Sequence, residues 1–141
     1  TTVGVERKMA MAHDREVRSS DRIPPALGPY SQAIAYNGLL FCSGIIPIEP
    51  KTGQVMAQDI VTQTRQVLDN LWALLEDAGT DTTRVLKTTV FLQDMEHFKA
   101  FNEIYASYFP TEPPARSTLE VARLPLDVLI EVEAIAALPE V

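Results

Sequence analysis

Two hydrophobic rhythms run through this chain, a period of two near both ends and a helical period in the middle. Tyr30 to Tyr36 and Leu39 to Ile46 are apolar runs parted by Asn37-Gly38, a pair suited to a two-residue turn, and they predict a β-hairpin. Before them, Arg15 to Ser19 has the length of a short first strand. Ile23 to Pro29 holds three prolines and a glycine, which forbid helix and predict a constrained, extended loop. Pro47 to Gly53 breaks the alternation ahead of a weak strand around Gln54 to Met56. Helical spacing then places Ile60, Val67, Leu68, Leu71, Leu75 and Ala78 on one stripe, with Asp59 as N-cap and Gly79 as the stop. Val85 to Leu92 is rich in β-branched residues and reads as a strand. Asp94 caps a second helix with the stripe Met95, Phe98, Phe101, Tyr105 and Tyr108, ending before Pro110. Ser117 to Arg123 and Val128 to Ala137 read as two closing strands joined by a short turn.

The resulting order, β-β-β-α-β-α-β-β, is that of a single α/β (α+β) domain with a mixed sheet. Two helices cannot cover both faces of such a sheet, so both are expected on one face, with the other left for a partner. Along the last strand Val128, Ile130, Val132 and Ala134 suit packing beneath the helices. Leu129, Glu131, Glu133 and Ile135 alternate with them and suit a subunit interface containing a wet pocket. A homo-oligomer with facing sheets is the expectation. Read as a hairpin, the closing strands put Arg116, Thr118, Glu120, Glu131 and Glu133 on one face, either a solvated surface or an anion pocket. The same reading sets Glu131 nearly opposite Glu120, a like-charge pair that costs stability outside a functional cleft.

Composition narrows the chemistry. At 141 residues the chain is one domain on length alone and buries roughly 68–70% of its extended surface. Twelve basic against nineteen acidic side chains give a net charge of -7, which argues against nucleic acid or an anionic membrane as partner. The single cysteine, Cys42, lies in an apolar run and reads as a core thiol. No apolar run approaches the ~18 residues of a membrane span. No phosphate loop, dinucleotide fingerprint or metal-spaced His/Cys set is present, and His13 and His97 stand alone, so neither cofactor nor metal is expected. Residues 1–13 lack the apolar core of a secretory signal and are set aside as a flexible extension, leaving 14–141 as the domain; organellar leader, expression remnant and natural extension all stay open.

Several separated motifs, in order from about Arg15 onward, carry a resemblance. Gly28-Pro29-Tyr30-Ser31-Gln32-Ala33, Ser43-Gly44 with Pro47, Asn102 with Tyr105, Tyr108 and Phe109, Pro114-Ala115-Arg116-Ser117, and Ile130-Glu131-Val132-Glu133-Ala134 are similar to the Rid (YjgF/RidA) reactive-intermediate deaminases. The resemblance implies a chorismate-mutase-like fold, a homotrimer whose sheets form a central barrel, and clefts between subunits. It implies hydrolysis of 2-imino acids derived from 2-aminoacrylate and 2-aminocrotonate (the 2-iminobutanoate/2-iminopropanoate deaminase activity), without a cofactor and in the cytoplasm, or in a mitochondrial or plastid matrix. Carried over by position, Arg116 binds the substrate carboxylate and Glu131 handles water. Tyr30, Gly44, Asn102 and Thr118 line the substrate site. Many members have Cys where this chain has Thr118, which bears on fine specificity rather than reaction class.

The chemistry of these side chains points the same way. A guanidinium offers parallel donors that match a carboxylate, which Lys does not. An imine hydrolyses readily once it is held and one water is aimed at its carbon. Two alternatives stand beside this reading. A non-catalytic, chaperone-like trimer would hold small carboxylates in the same clefts, and a chorismate mutase would need several converging cations where one convincing arginine is present.

Overall fold

The computed structural model describes residues 14–139, so the predicted extension at 1–13 lies outside the described residues. The strands are β1 (Glu16–Arg18), β2 (Ala33–Tyr36), β3 (Leu39–Ile45), β4 (Ile48–Glu49), β5 (Gln54–Val55), β6 (Val85–Leu92), β7 (Ala115–Glu120) and β8 (Ile130–Ala137); the helices are α1 (Ile60–Asp77) and α2 (Phe98–Tyr108). The main sheet has the order β1-β2-β3-β8-β6-β7, with β4 and β5 forming a separate small pair. The class is mixed α+β, as the pattern predicts.

The first hairpin forms where Asn37-Gly38 stands, with Tyr36 opposite Leu39 and positive φ angles of 49° and 78° at the two turn residues. Both helices pack on one face. The Asp59 carboxylate accepts from the amides of Val61 and Thr62 at the start of α1, and Gly79 follows its end with φ 98°. The α1 stripe buries Val67, Leu68, Leu71 and Leu75 completely, yet it also buries Gln63, Thr64 and Asn70, which the apolar pattern omits. Asp94 caps a short 3-10 turn, Met95–His97, and α2 begins only at Phe98, so Met95 ends up exposed rather than on a buried stripe.

The closing strands are the main correction. They do not form a hairpin, because β6 lies between them, parallel to β7 and antiparallel to β8. The α2 crossover delivers β7 to the outer edge of β6, the usual outcome for two strands joined through a helix. The chain must then pass the end of β6 to reach β8. There the Val121 amide donates to the Leu92 carbonyl and the Gln93 amide to the Leu129 carbonyl. Glu131 consequently faces Phe91, not Glu120, and the expected like-charge pair does not exist. The Glu120 carboxylate instead accepts from the Met95 amide.

The same topology divides the expected polar face. Arg116 pairs with Thr88 and Thr118 with Val90, which puts them on the helix-covered side. Glu131 and Glu133 pair with Phe91 and Thr89 on the open side. The even positions of β8 are buried as expected, with Ile130, Val132 and Ala136 fully inaccessible. Of these, Ile130 and Val132 each contribute about 1.5–3 kcal/mol of burial. On the open side, half-buried Ile135 lies beside Phe41, which remains 42% exposed.

Candidate functional site

Arg116 enters through the start of β7, immediately after Pro113-Pro114 and the turn residue Glu112, whose φ is 45°. Its guanidinium carbon lies 4.8 Å from the ring centre of Tyr105, 5.1 Å from Phe101 and 5.6 Å from Phe98, all on α2 or its first turn. These rings attract a cation weakly, by about 0.5–2 kcal/mol, and they leave the edge donors of the guanidinium uncommitted. The Tyr105 hydroxyl is in turn fixed by Thr88 Oγ1 at 2.7 Å. The ion pairs found among the described residues involve Arg18, Arg22, Arg84 and Arg123, and none involves Arg116. A half-buried arginine on an aromatic bed, without a carboxylate of its own, is equipped to receive an external anion. Asn102, three residues before Tyr105, joins Arg116, Pro113 and Pro114 in an open cleft. Two positions along β7, Thr118 has a buried hydroxyl with no hydrogen-bond partner among the described residues.

The second group sits across the sheet. Between β3 and β8 the three steps from Cys42 to Ile45 oppose two steps from Ala134 to Val132, so β3 carries one extra residue in a bulge. Gly44 lies in that bulge, and the Glu131 carboxylate packs directly against it. A Cβ on residue 44 would meet Glu131 Oε2, so any larger residue there pushes the carboxylate out of its place. Glu131 is held above the ordinary carboxylate range, first by burial and then by the charge of neighbouring Glu133. Ser43 is anchored through its hydroxyl to the Ser31 carbonyl at 2.6 Å and through its amide to Gln32. Tyr30, on the proline-rich loop, is 48% exposed, and its hydroxyl accepts from the Leu27 amide at 3.1 Å.

The residues singled out from sequence therefore fall into two sets within one chain. Arg116, Asn102 and Thr118 belong to the α2–β7 side, while Tyr30, Gly44 and Glu131 belong to the β2–β3–β8 side. The stripe Phe98, Phe101 and Tyr105 reads as core, which holds for Phe101 and Tyr105 at 0% and 5% exposure with Phe98 packed against them, but that reading misses their second use beneath Arg116. Their spacing of three and four residues on the crossover helix ahead of β7 was the available signal. Gln63 was also missed. Fully buried, it donates to the carbonyls of Met56 and Ala57 and accepts from the Leu129 amide at 2.8 Å, two residues before Glu131. Cys42 is buried and its thiol is pushed up to about 12 by burial, which removes it as a nucleophile. Among the described residues no helix is long and apolar enough to cross a membrane.

Comparison with known proteins places this geometry in context. A family model described as Endoribonuclease L-PSP matches residues 20–138. The chain is 53% identical over 122 residues to a RutC family protein of Pyrococcus horikoshii, covering 86% of this chain and 97% of that one. It is 50% identical over 124 residues to the chloroplastic Reactive Intermediate Deaminase A of Arabidopsis thaliana, covering 88% of this chain and 66% of that protein. A crystal structure of a conserved Rid family protein from Yersinia pestis superposes with a TM-score of 0.85 at 46% identity, over 89% of this chain and all of that one.

Proposed function

The chain belongs to the Rid (YjgF) family, and on that premise we propose that it hydrolyses reactive 2-imino and enamine acids to 2-keto acids and ammonia. Its relative from Arabidopsis thaliana is named a reactive intermediate deaminase, which supports the reaction class. The observation that carries the reading is Arg116, half-buried over three aromatic rings and in no ion pair among the described residues. In the proposed homotrimer the Arg116 side of one subunit meets the Glu131 side of the next.

The steps follow from the two groups. Arg116 takes the substrate carboxylate in a two-pronged hydrogen bond, which fixes the adjacent imine carbon. An enamine first takes a proton from solvent at its terminal carbon and so becomes the iminium. Glu131, ionised, accepts a proton from water as the water oxygen bonds to the iminium carbon and the C=N π electron pair moves to nitrogen, leaving a neutral amine. The resulting aminoalcohol collapses: Glu131 returns its proton to the amine nitrogen and then takes the hydroxyl proton as the C=O bond forms, the C–N bond breaks and ammonia leaves. The raised proton affinity of Glu131 favours its taking the proton as well as returning it. Tyr30, Gly44, Asn102 and Thr118 shape the cleft around the substrate. Two small substrates of this class are 2-iminopropanoate and 2-iminobutanoate.

RNA cleavage, named in the description of the matched family, suits a chain of net charge -7 poorly. The test of the proposal is disappearance of 2-iminopropanoate generated in situ, with and without the protein. Wild type should accelerate it, and Arg116→Ala should lose roughly ten- to a hundredfold in kcat/KM, the worth of a charged hydrogen bond. If wild type has no effect on the rate while a keto acid binds and Arg116→Ala abolishes that binding, the protein is a carboxylate-binding module instead.

A further inference from the structure

We infer, on the basis of the deaminase reading above, that Gln63 is a positioning residue for Glu131, holding the approach to β8 by the Leu129 amide so that the carboxylate stays against Gly44. Gln63 lies in the first turn of α1 and is fully buried. A buried side-chain amide costs free energy unless both of its ends are bonded, and both are. Its oxygen accepts from the Leu129 amide at 2.8 Å, and its nitrogen reaches Gln58 Oε1 at 2.6 Å and the Ala57 and Met56 carbonyls at 3.2 and 3.3 Å. None of these partners belongs to α1, which begins at Ile60. Gln58 in turn donates to the Asp127 carbonyl at 3.0 Å. Two glutamines thus tie the segment before α1 to the segment before β8.

That second segment needs holding. Leu126 and Asp127 both have a φ of 55°, a left-handed conformation that residues other than glycine keep only where their surroundings impose it. Leu126 is 59% exposed, so core packing of its side chain does not impose it. Leu129 is then pinned at both backbone groups, its amide by Gln63 and its carbonyl by the Gln93 amide at 3.0 Å. Glu131 follows two residues on, opposite Phe91. If the Leu129 amide loses its acceptor it turns towards water, and the strand start that follows carries the Glu131 carboxylate off Gly44 into solvent. Its proton affinity then falls, because burial is the main cause of the rise. The other charges on that side of the sheet are Glu133 on β8 and Lys87 on β6, opposite Ile135, and β3 brings none. Neither glutamine titrates, so a moved pH limb reports the displacement of Glu131.

The experiment measures hydrolysis of 2-iminopropanoate by the full chain across pH. Gln63→Leu removes the acceptor at similar volume. Its kcat should fall about ten- to a hundredfold, the scale of a small misplacement of a reacting group, and the acid limb of the kcat profile should move to lower pH. KM should stay within about twofold, because Arg116 lies on the other side of the sheet. In Gln63→Glu the buried carboxyl stays protonated, accepts from Leu129 and donates once, so most of kcat should return. An unmoved limb in Gln63→Leu, or a Gln63→Glu variant as slow as Gln63→Leu, overturns the inference and leaves the deaminase reading standing. If Gln63→Leu does not fold, Gln58→Ala at its exposed position decides, with a smaller shift of the limb in the same direction expected and an unmoved limb overturning. If wild type does not hydrolyse the imine, the deaminase reading fails, and NMR titration of the Glu131 carboxyl carbon decides the positioning alone. A lower midpoint in the variant than in wild type supports it, and an equal one overturns it.

Discussion

The Glu131 carboxylate lies where a Cβ on residue 44 would stand. Placing a methyl group on residue 44 meets the end of a flexible side chain rather than backbone, so Gly44→Ala should fold normally while pushing the carboxylate aside. The expected outcome is a thermal midpoint near that of wild type with a large fall in kcat for imine hydrolysis. Loss of fold, or full activity, would show that Gly44 does something else. Glu133 acts on Glu131 through charge. It raises the proton affinity of its neighbour, so Glu133→Gln should let Glu131 ionise at lower pH and move the acid limb of the rate profile downward. The stability effect has the opposite sense from that of a salt-bridged carboxylate. Because the native Glu131 holds its proton more tightly than the unfolded one, the native state loses stability as pH rises from the ordinary carboxylate range through the raised value. As candidates, Arg116 and Glu131 were legible in the sequence because the motifs that hold them are short. Their placement on opposite sides of the sheet was not, since it depends on which strand lies between them.

At the scale of elements, the first hairpin and α1 could be read from sequence because turn residues, caps and spacing are short-range signals. Asn37-Gly38, Asp59 and Gly79 all stand where the pattern puts them. The closing pair misled because alternation reveals faces, not partners. Nothing near residues 121–129 announces that the chain skirts the end of β6, a strand laid down some thirty residues earlier. The junction of α2 with β6 is where this arrangement is most exposed to mutation. Tyr105→Phe removes the hydroxyl that satisfies Thr88 Oγ1, at a residue with 0% exposure, and should cost about 1–3 kcal/mol. A lower urea midpoint with an unchanged slope would register it. A midpoint equal to that of wild type would mean that Thr88 finds another partner.

At the scale of the molecule, one side of the sheet carries both helices and the other presents Phe41, Ile135, Glu131 and Glu133 without a covering layer among the described residues. A face of this mixed character suits a second copy of the chain, with apolar contacts to hold it and acids left in a water-filled cleft. The proposed trimer uses it so. The division of Arg116 and Glu131 between opposite sides then has a genetic consequence. A chain lacking only the arginine still contributes a sound glutamate wall to its neighbour, and a chain lacking only the glutamate still contributes a sound arginine wall. Co-refolded Arg116→Ala and Glu131→Gln subunits should thus recover turnover that neither possesses alone, each defect masked wherever two intact walls meet. A mixture as inactive as its parents would mean that every chain works for itself.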